Sequence, residues 1–106
     1  MPPKKQDIKR EGAVMGRMLP HNLEAEQSVF GCVLIDDEIS YYVLDNLKSE
    51  DFYSEAHAVI YNGVSAIKNQ GVKERVDFVT LVNALEQAGT LAAAGGAQYI
   101  TTLSSF

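Results

Sequence analysis

The chain has 106 residues, 46% of them hydrophobic and 22% charged, which suits one small domain with a modest buried core. The formal net charge is −5 but is unevenly spread: residues 1 to 17 hold five basic and two acidic residues, a balance of +3, and residues 18 to 106 hold four basic and twelve acidic ones, a balance of −8. A body of that sign is a poor match for phosphate backbones, which lysine and arginine neutralise, and the single cysteine, Cys32, excludes an internal disulfide.

No apolar run approaches the ~18 residues that suggest a membrane span. The N-terminus has charges but no apolar stretch of the secretory kind. A reducing cytoplasmic compartment is therefore the default expectation. Residues 1 to 17 are polar and aperiodic and read as a disordered basic tail. Met15 and Met18 both lie near the start of the body, so either could be the natural initiator.

Residues 20 to 31 read PHNLEAEQSVFG. Pro20 breaks the register of the tail and takes His21 with it. Asn22 is a good helix N-cap, because its side-chain oxygen can accept from amides two or three residues on. Glu24 and Glu26 follow in the first turn, where the helix dipole favours negative charge. Ala25, Val29, Cys32 and Val33 recur at helical spacing, and Phe30 and Leu34 widen the stripe. The spacing predicts a helix over 23–35. Asp36-Asp37 ends it and opens the next, over 38–47, with Ile39, Val43 and Leu47 inward.

The link SEDFY (49–53) reads as a single turn that plugs Phe52 into the core. Ser54 caps a third helix, whose buried stripe is Ala56, Ile60, Val64 and Ile67. Gly71 stands where a left-handed C-terminal residue would go. Asp77 caps a fourth helix, with Val76 and Leu81 as a hydrophobic staple around it. Leu81, Val82 and Leu85 face the core, and Gly89 stops the helix. TLAAAGG reads as a short helical turn closed by Gly95-Gly96. AQYITTLSSF is a last helix with Tyr99, Ile100 and Leu103 inside; its β-branched residues could suit a strand, but a lone strand would have no partner. The expected fold is all-α, a compact orthogonal bundle of five to six short helices in a head domain over 18–106.

Catalytic signatures are missing. None of the eight glycines precedes a lysine, so no phosphate loop of the G-x-x-x-x-G-K-[ST] type exists. There is no H-E-x-x-H, no cysteine pair and no G-x-S-x-G. His21, His57 and Cys32 are the only soft-metal candidates, and their separation argues against a metal site. His57 reads as a hydrogen-bonded histidine at the core edge rather than a base. The carboxylate pairs Glu24/Glu26, Asp36/Asp37 and Glu50/Asp51 all sit at helix starts, where they serve the dipole and solubility. Neighbouring acids on a helix do not converge on one point, so acid–base catalysis is not expected.

Four phrases, PHNLEAEQSVFG (20–31), EDFYSEAHAVIY (50–61), VDFVTLVNALEQAGTL (76–91) and GGAQYITTLSS (95–105), stand in order along the chain. Together they closely resemble the N-terminal domain of bacterial replicative DNA helicases of the DnaB type, phage relatives included. The resemblance covers about residues 18 to 106. It implies a hexameric ring whose C-terminal RecA-like motor carries the phosphate loop. That motor uses ATP and Mg to translocate on single-stranded DNA and unwind duplex. The N-terminal domains form a collar, a trimer of dimers in which each all-α head is followed by a helical hairpin. The collar binds the C-terminal domain of primase and, in many bacteria, communicates with the helicase loader. Family contacts to primase carry over to Glu24 and Tyr99 in this chain.

Two departures qualify these implications. The chain stops at Phe106, before hairpin and motor, and it has a basic tail that relatives need not share. The expectation is therefore a piece of a longer helicase, with no catalytic residue, cofactor or metal of its own. Residue by residue, Glu24 and Glu26 have two readings, as dipole acids or as part of a partner-facing surface. Tyr99 likewise reads either as a core residue with its hydroxyl at the surface or as a contact. Two other classes compete with the collar head: a small nucleic-acid-binding domain with residues 1 to 17 as its arm, and a standalone enzyme, which lacks any convergent His, Cys or Ser set. Deleting residues 1 to 17 separates the first of these, since loss of all DNA binding would leave the body no part in it.

Overall fold

The computed structural model describes residues 22–71 and 74–105. The expected basic tail falls outside those residues, as do Met15, Met18, Pro20, His21 and Phe106. In chain order the elements are α1 (Leu23–Ile35), α2 (Glu38–Asn46), a 3-10 turn (Ser49–Asp51), α3 (Glu55–Gln70), α4 (Phe78–Gln87) and α5 (Gly96–Leu103). Among the described residues there is no strand, so the all-α expectation holds.

Local chemistry sets most helix ends where the sequence placed them. Asn22 accepts from the Ala25 amide at 2.8 Å, and Ser54 accepts from the His57 amide at 3.4 Å. Asp77 and Thr80 close a reciprocal box, each side chain accepting from the other's amide at 2.9 Å. Two helical turns end in the same motif. After α4, Gly89 has φ 73°; its amide donates to Glu86 O and the Thr90 amide to Leu85 O. After the turn over 91–95, Gly95 has φ 103°; its amide donates to Ala92 O and the Gly96 amide to Leu91 O. This is the Schellman pattern, which needs a left-handed residue at its pivot.

The helices pack so that α3 lies against α4 and the 3-10 turn, α1 meets α2 and α5, and α4 meets α5. The core draws on every helix: Phe30 and Val33 from α1, Val43 from α2, Ile60, Val64 and Ile67 from α3, Leu81 and Leu85 from α4, Ile100 and Leu103 from α5, with Val76 and Ala94 from the links. Phe52 packs against it, its ring 5.1 Å from Phe30 and 5.7 Å from Tyr61. Burial, and then the nearby Asp51 charge, push the Tyr61 phenol above its ordinary range. At the α3–α4 crossing Gly63 is buried, and a Cβ there would come within 2.9 Å of Leu85 Cδ2. The missing side chain lets the two helices close up.

Several expectations need correction. Cys32 is exposed, and so is Ala25. Phe30 and Val33 of the expected stripe are buried, with Val29 and Leu34 packed against the core, but Glu26 and Gly31 are buried beside them. Glu26, Phe30 and Val33 lie at i, i+4 and i+7, so the buried face is the expected stripe turned toward Glu26. α1 is apolar over so much of its girth that pattern alone does not fix that turn. Gly71 caps α3 with extended backbone, φ 160° and ψ 151°, and not in the left-handed region. α2 stops at Asn46 and α5 at Leu103, one and three residues short of the predicted ends.

Asp37 occupies the N-cap position of α2 but makes no capping hydrogen bond with its side chain. Asp36 accepts from the Glu38 amide instead, at 3.0 Å. The Asp37 carboxylate accepts from Lys68 Nζ at 2.8 Å and from the Val76 amide at 2.6 Å. Burial by itself would push the Asp37 carboxyl up. The Lys68 hydrogen bond, the Val76 amide and the charges of Lys68 and Arg75 outweigh it and hold the group below the usual carboxylate range. Lys68 also donates to Glu74 O at 2.6 Å and lies 4.4 Å from the Tyr41 ring centroid.

Candidate partner-binding site

The two residues singled out by resemblance lie on neighbouring helices. Glu24 is exposed in the first turn of α1, held there by the Asn22 cap. Tyr99 is half-buried on α5 and packs its ring against the core. Gln27 links them. It follows Glu24 by three residues, so the two are neighbours on the α1 surface, and its Nε2 donates to the Tyr99 hydroxyl at 3.1 Å. The carried-over residues therefore lie on one side of the domain.

The double glycine explains how Tyr99 reaches its place. A Cβ on Gly95 would come within 2.8 Å of Tyr99 Cβ and 2.9 Å of its ring. Gly95 is thus required twice, for its positive φ and for the space that Tyr99 occupies.

Behind Tyr99 lies a polar chain that crosses the domain. Its hydroxyl is 2.7 Å from His57 Nε2, and His57 Nδ1 is 2.7 Å from Glu26 Oε1. The same carboxylate accepts from the Tyr53 amide at 2.7 Å and the Ser54 amide at 3.3 Å. The Tyr99 and His57 rings are nearly parallel, their planes 17° apart and their centroids 5.9 Å apart, and they meet edge to edge. The Phe30 ring also packs against the imidazole, tilted by 46° at 5.7 Å between centroids.

Glu26 therefore does not serve the dipole of its own helix, as the sequence suggested. It is buried, and its negative charge sits at the amino end of α3, where free amides and the helix dipole favour it. A buried carboxylate is tolerated because donors surround it. His57 is hydrogen-bonded, as expected, but fully buried rather than at the core edge. The signal was present in the sequence: His57, Ile60, Val64 and Ile67 follow one another at helical spacing and all are buried. Gln27 carried no such signal.

Among the described residues no group of three or more His, Cys, Asp and Glu side chains could hold a metal ion, and no helix is long and apolar enough to cross a membrane. What the arrangement can do is present a rigid surface of α1 and α5, with acid, amide and phenol groups side by side.

Comparison with known proteins agrees with this architecture. Residues 18–106 match the family described as DnaB-like helicase N terminal domain. The replicative DNA helicase DnaB of Mycobacterium leprae (strain TN) is 40% identical over 90 residues, which are 85% of this chain and 15% of that protein. The replicative DNA helicase DnaB of Buchnera aphidicola subsp. Baizongia pistaciae (strain Bp) is 36% identical over 86 residues, 81% of this chain and 18% of that protein. The chain thus spans less than a fifth of these relatives. The N-terminal domain of DnaB helicase from Mycobacterium tuberculosis superposes with a TM-score of 0.74 at 38% identity, covering 81% of this chain and 58% of that one. A family match over the whole acidic body, joined to an all-helical fold with the same neighbour in structure, places this chain in the DnaB-like helicase N-terminal domain family.

Proposed function

We propose that this chain is the collar head of a replicative DNA helicase, a non-catalytic domain that supports assembly of the hexameric ring and docks the C-terminal domain of primase during DNA replication. ATP and Mg would act in a motor domain elsewhere in such a helicase, which would unwind duplex DNA on a single strand threaded through the ring. The head would also be available to a loader where the organism uses one. The observation that supports the primase reading is that Gln27, one turn on from Glu24 on the α1 surface, donates to the Tyr99 hydroxyl at 3.1 Å. A phenol and a carboxylate on adjacent rigid helices suit a docking face, where tyrosine contributes large area at small entropic cost.

The charge supports the same reading. A body at −8 over residues 18 to 106 repels the DNA that the ring must pass and attracts a basic partner over long range. The test is an NMR titration of the isotope-labelled 106-residue chain with the primase C-terminal domain of the same organism. Shifts clustered at Glu24, Gln27 and Tyr99 are expected, together with an association rate that falls from low to physiological salt. Absence of shifts at high concentration would refute the primase-facing assignment. A salt-independent rate would refute the steering.

A further inference from the structure

The Glu26–His57–Tyr99 chain is an unusual investment for a domain of this size. A buried charged or polar pair is a weak source of stability, since apolar residues of similar volume often do as well. Its physical merit is to fix geometry, because each member has few satisfactory alternatives. Here the geometry leads from the buried interior at Glu26 and His57 to the half-buried edge at Tyr99.

The roles of the atoms follow from what each can do. Glu26, as an ionised carboxylate, can only accept, and it already takes the Tyr53 and Ser54 amides. His57 Nδ1 therefore carries a proton and donates it to Oε1 across 2.7 Å. The imidazole is thus turned so that Nε2 faces the Tyr99 hydroxyl at 2.7 Å. The two rings are nearly parallel, 17° apart, and meet edge to edge through that hydrogen bond, Gln27 holds the phenol oxygen from the α1 side, and the bare Cα of Gly95 receives its base. Tyr99 is restrained at its hydroxyl, from two sides, and at its root.

We infer that His57, oriented by Glu26, is a positioning residue that locks the Tyr99 side chain in the conformation presented to the partner. This rests on the reading of Tyr99 as partner-facing. A side chain ordered before binding does not pay its ordering cost on binding, which corresponds to roughly a 2- to 10-fold lower dissociation constant. His57 and Glu26 would thus govern affinity without touching the partner.

Two substitutions separate the ends of the imidazole. His57→Asn keeps a carboxamide near the Nδ1 position, within reach of Glu26 but short of Tyr99. His57→Gln places it one methylene further out, near the Nε2 position. The readouts are the Tyr99 ring rotamer by NMR in the free 106-residue chain, and the affinity for the primase C-terminal domain of the same organism. The Tyr99 ring should be fixed in the unaltered chain and in His57→Gln, and rotamer-averaged in His57→Asn. Affinity should fall about 2- to 10-fold in His57→Asn. It should fall equally in Tyr99→Phe, and no further when the two are combined.

A Tyr99 ring that stays fixed in His57→Asn would overturn the inference whatever the affinity. If His57→Asn does not fold, Tyr99→Phe replaces it in the ring measurement, and a ring still fixed without its hydroxyl has the same meaning. Affinity lost in Tyr99→Ala but unchanged in His57→Asn would leave the primase reading standing and overturn the positioning role. Affinity unchanged in Tyr99→Ala would overturn the primase reading, while the ring measurement still decides whether His57 holds Tyr99.

Discussion

Replacing Asp37 by asparagine removes one charge and almost no volume from the tie between the start of α2, the end of α3 and Val76 just before α4. The Asp37 side chain is 14% exposed and that of Lys68 is 5% exposed, so solvent does little to compensate a lost partner. Two charge-assisted hydrogen bonds end on this carboxylate, from Lys68 Nζ at 2.8 Å and the Val76 amide at 2.6 Å. Asparagine can still accept from Val76, but its amide then faces the Lys68 ammonium, donor against donor. A hydrogen bond to a charged group contributes roughly 1.5–3 kcal/mol, and full removal of one member of a buried pair costs about 3–5 kcal/mol. Lys68 keeps Glu74 O and the Tyr41 ring, so the lower part of that span applies. The expected loss is about 2–3 kcal/mol, or roughly 10–20 °C in Tm for a domain of this size.

Thermal unfolding followed by far-ultraviolet circular dichroism at neutral pH measures that loss. The same assay against pH checks its origin. The folded-state pKa of Asp37 lies below its ordinary value, so the carboxylate contributes fully above the unfolded pKa, about 3.9. Its contribution is lost as pH falls through the lower folded value. The Tm gap between the two proteins should thus be constant from about pH 5 upward and close progressively in acid below about pH 4. A gap under 2 °C at pH 7, or one that widens in acid, would refute the assignment of this ion pair as a tertiary tie.

Other substitutions probe the packing and the turns. Gly89→Val should lower stability by more than about 1 kcal/mol, because φ 73° disfavours a β-branched residue although nothing lies within 4 Å of the added Cβ; an unchanged Tm would disprove the left-handed cap. Gly63→Ala should cost about 1–3 kcal/mol by overpacking against Leu81 and Leu85, read as a lower urea midpoint at constant slope. Ile60→Ala, at 0% exposure, should cost about 2–5 kcal/mol through the cavity it leaves, and a loss below 1 kcal/mol in the same titration would argue that Ile60 is not in the core.

Much of the architecture was legible because it is local. Asn22, Ser54 and Asp77 cap helices through amides three residues away, a distance the chain cannot avoid. Gly89 and Gly95 end turns for an equally local reason, the steric cost of positive φ in other residues. Ile60, Val64 and Ile67 of the α3 stripe were readable because its polar and apolar faces differ, although His57 and not Ala56 fills its first buried position. The resemblance to DnaB-type helicase heads rests on phrases that contain these same local signals.

Tertiary structure decided what an acid or a polar side chain does with its charge. Glu26 and Glu24 look alike in the sequence, two residues apart in one first turn. The turn of α1 takes one outward and points the other at His57, 31 positions away. Asp37 read as half of an acid pair at a helix start, serving dipole and solubility, and became an ion pair with Lys68, also 31 positions on. Tyr99 is held by His57 and Gln27, at separations of 42 and 72 residues. Helix ends follow from backbone sterics and amides within one turn. The partners of buried polar groups follow from which helices come together, and apolar packing across the whole chain selects that.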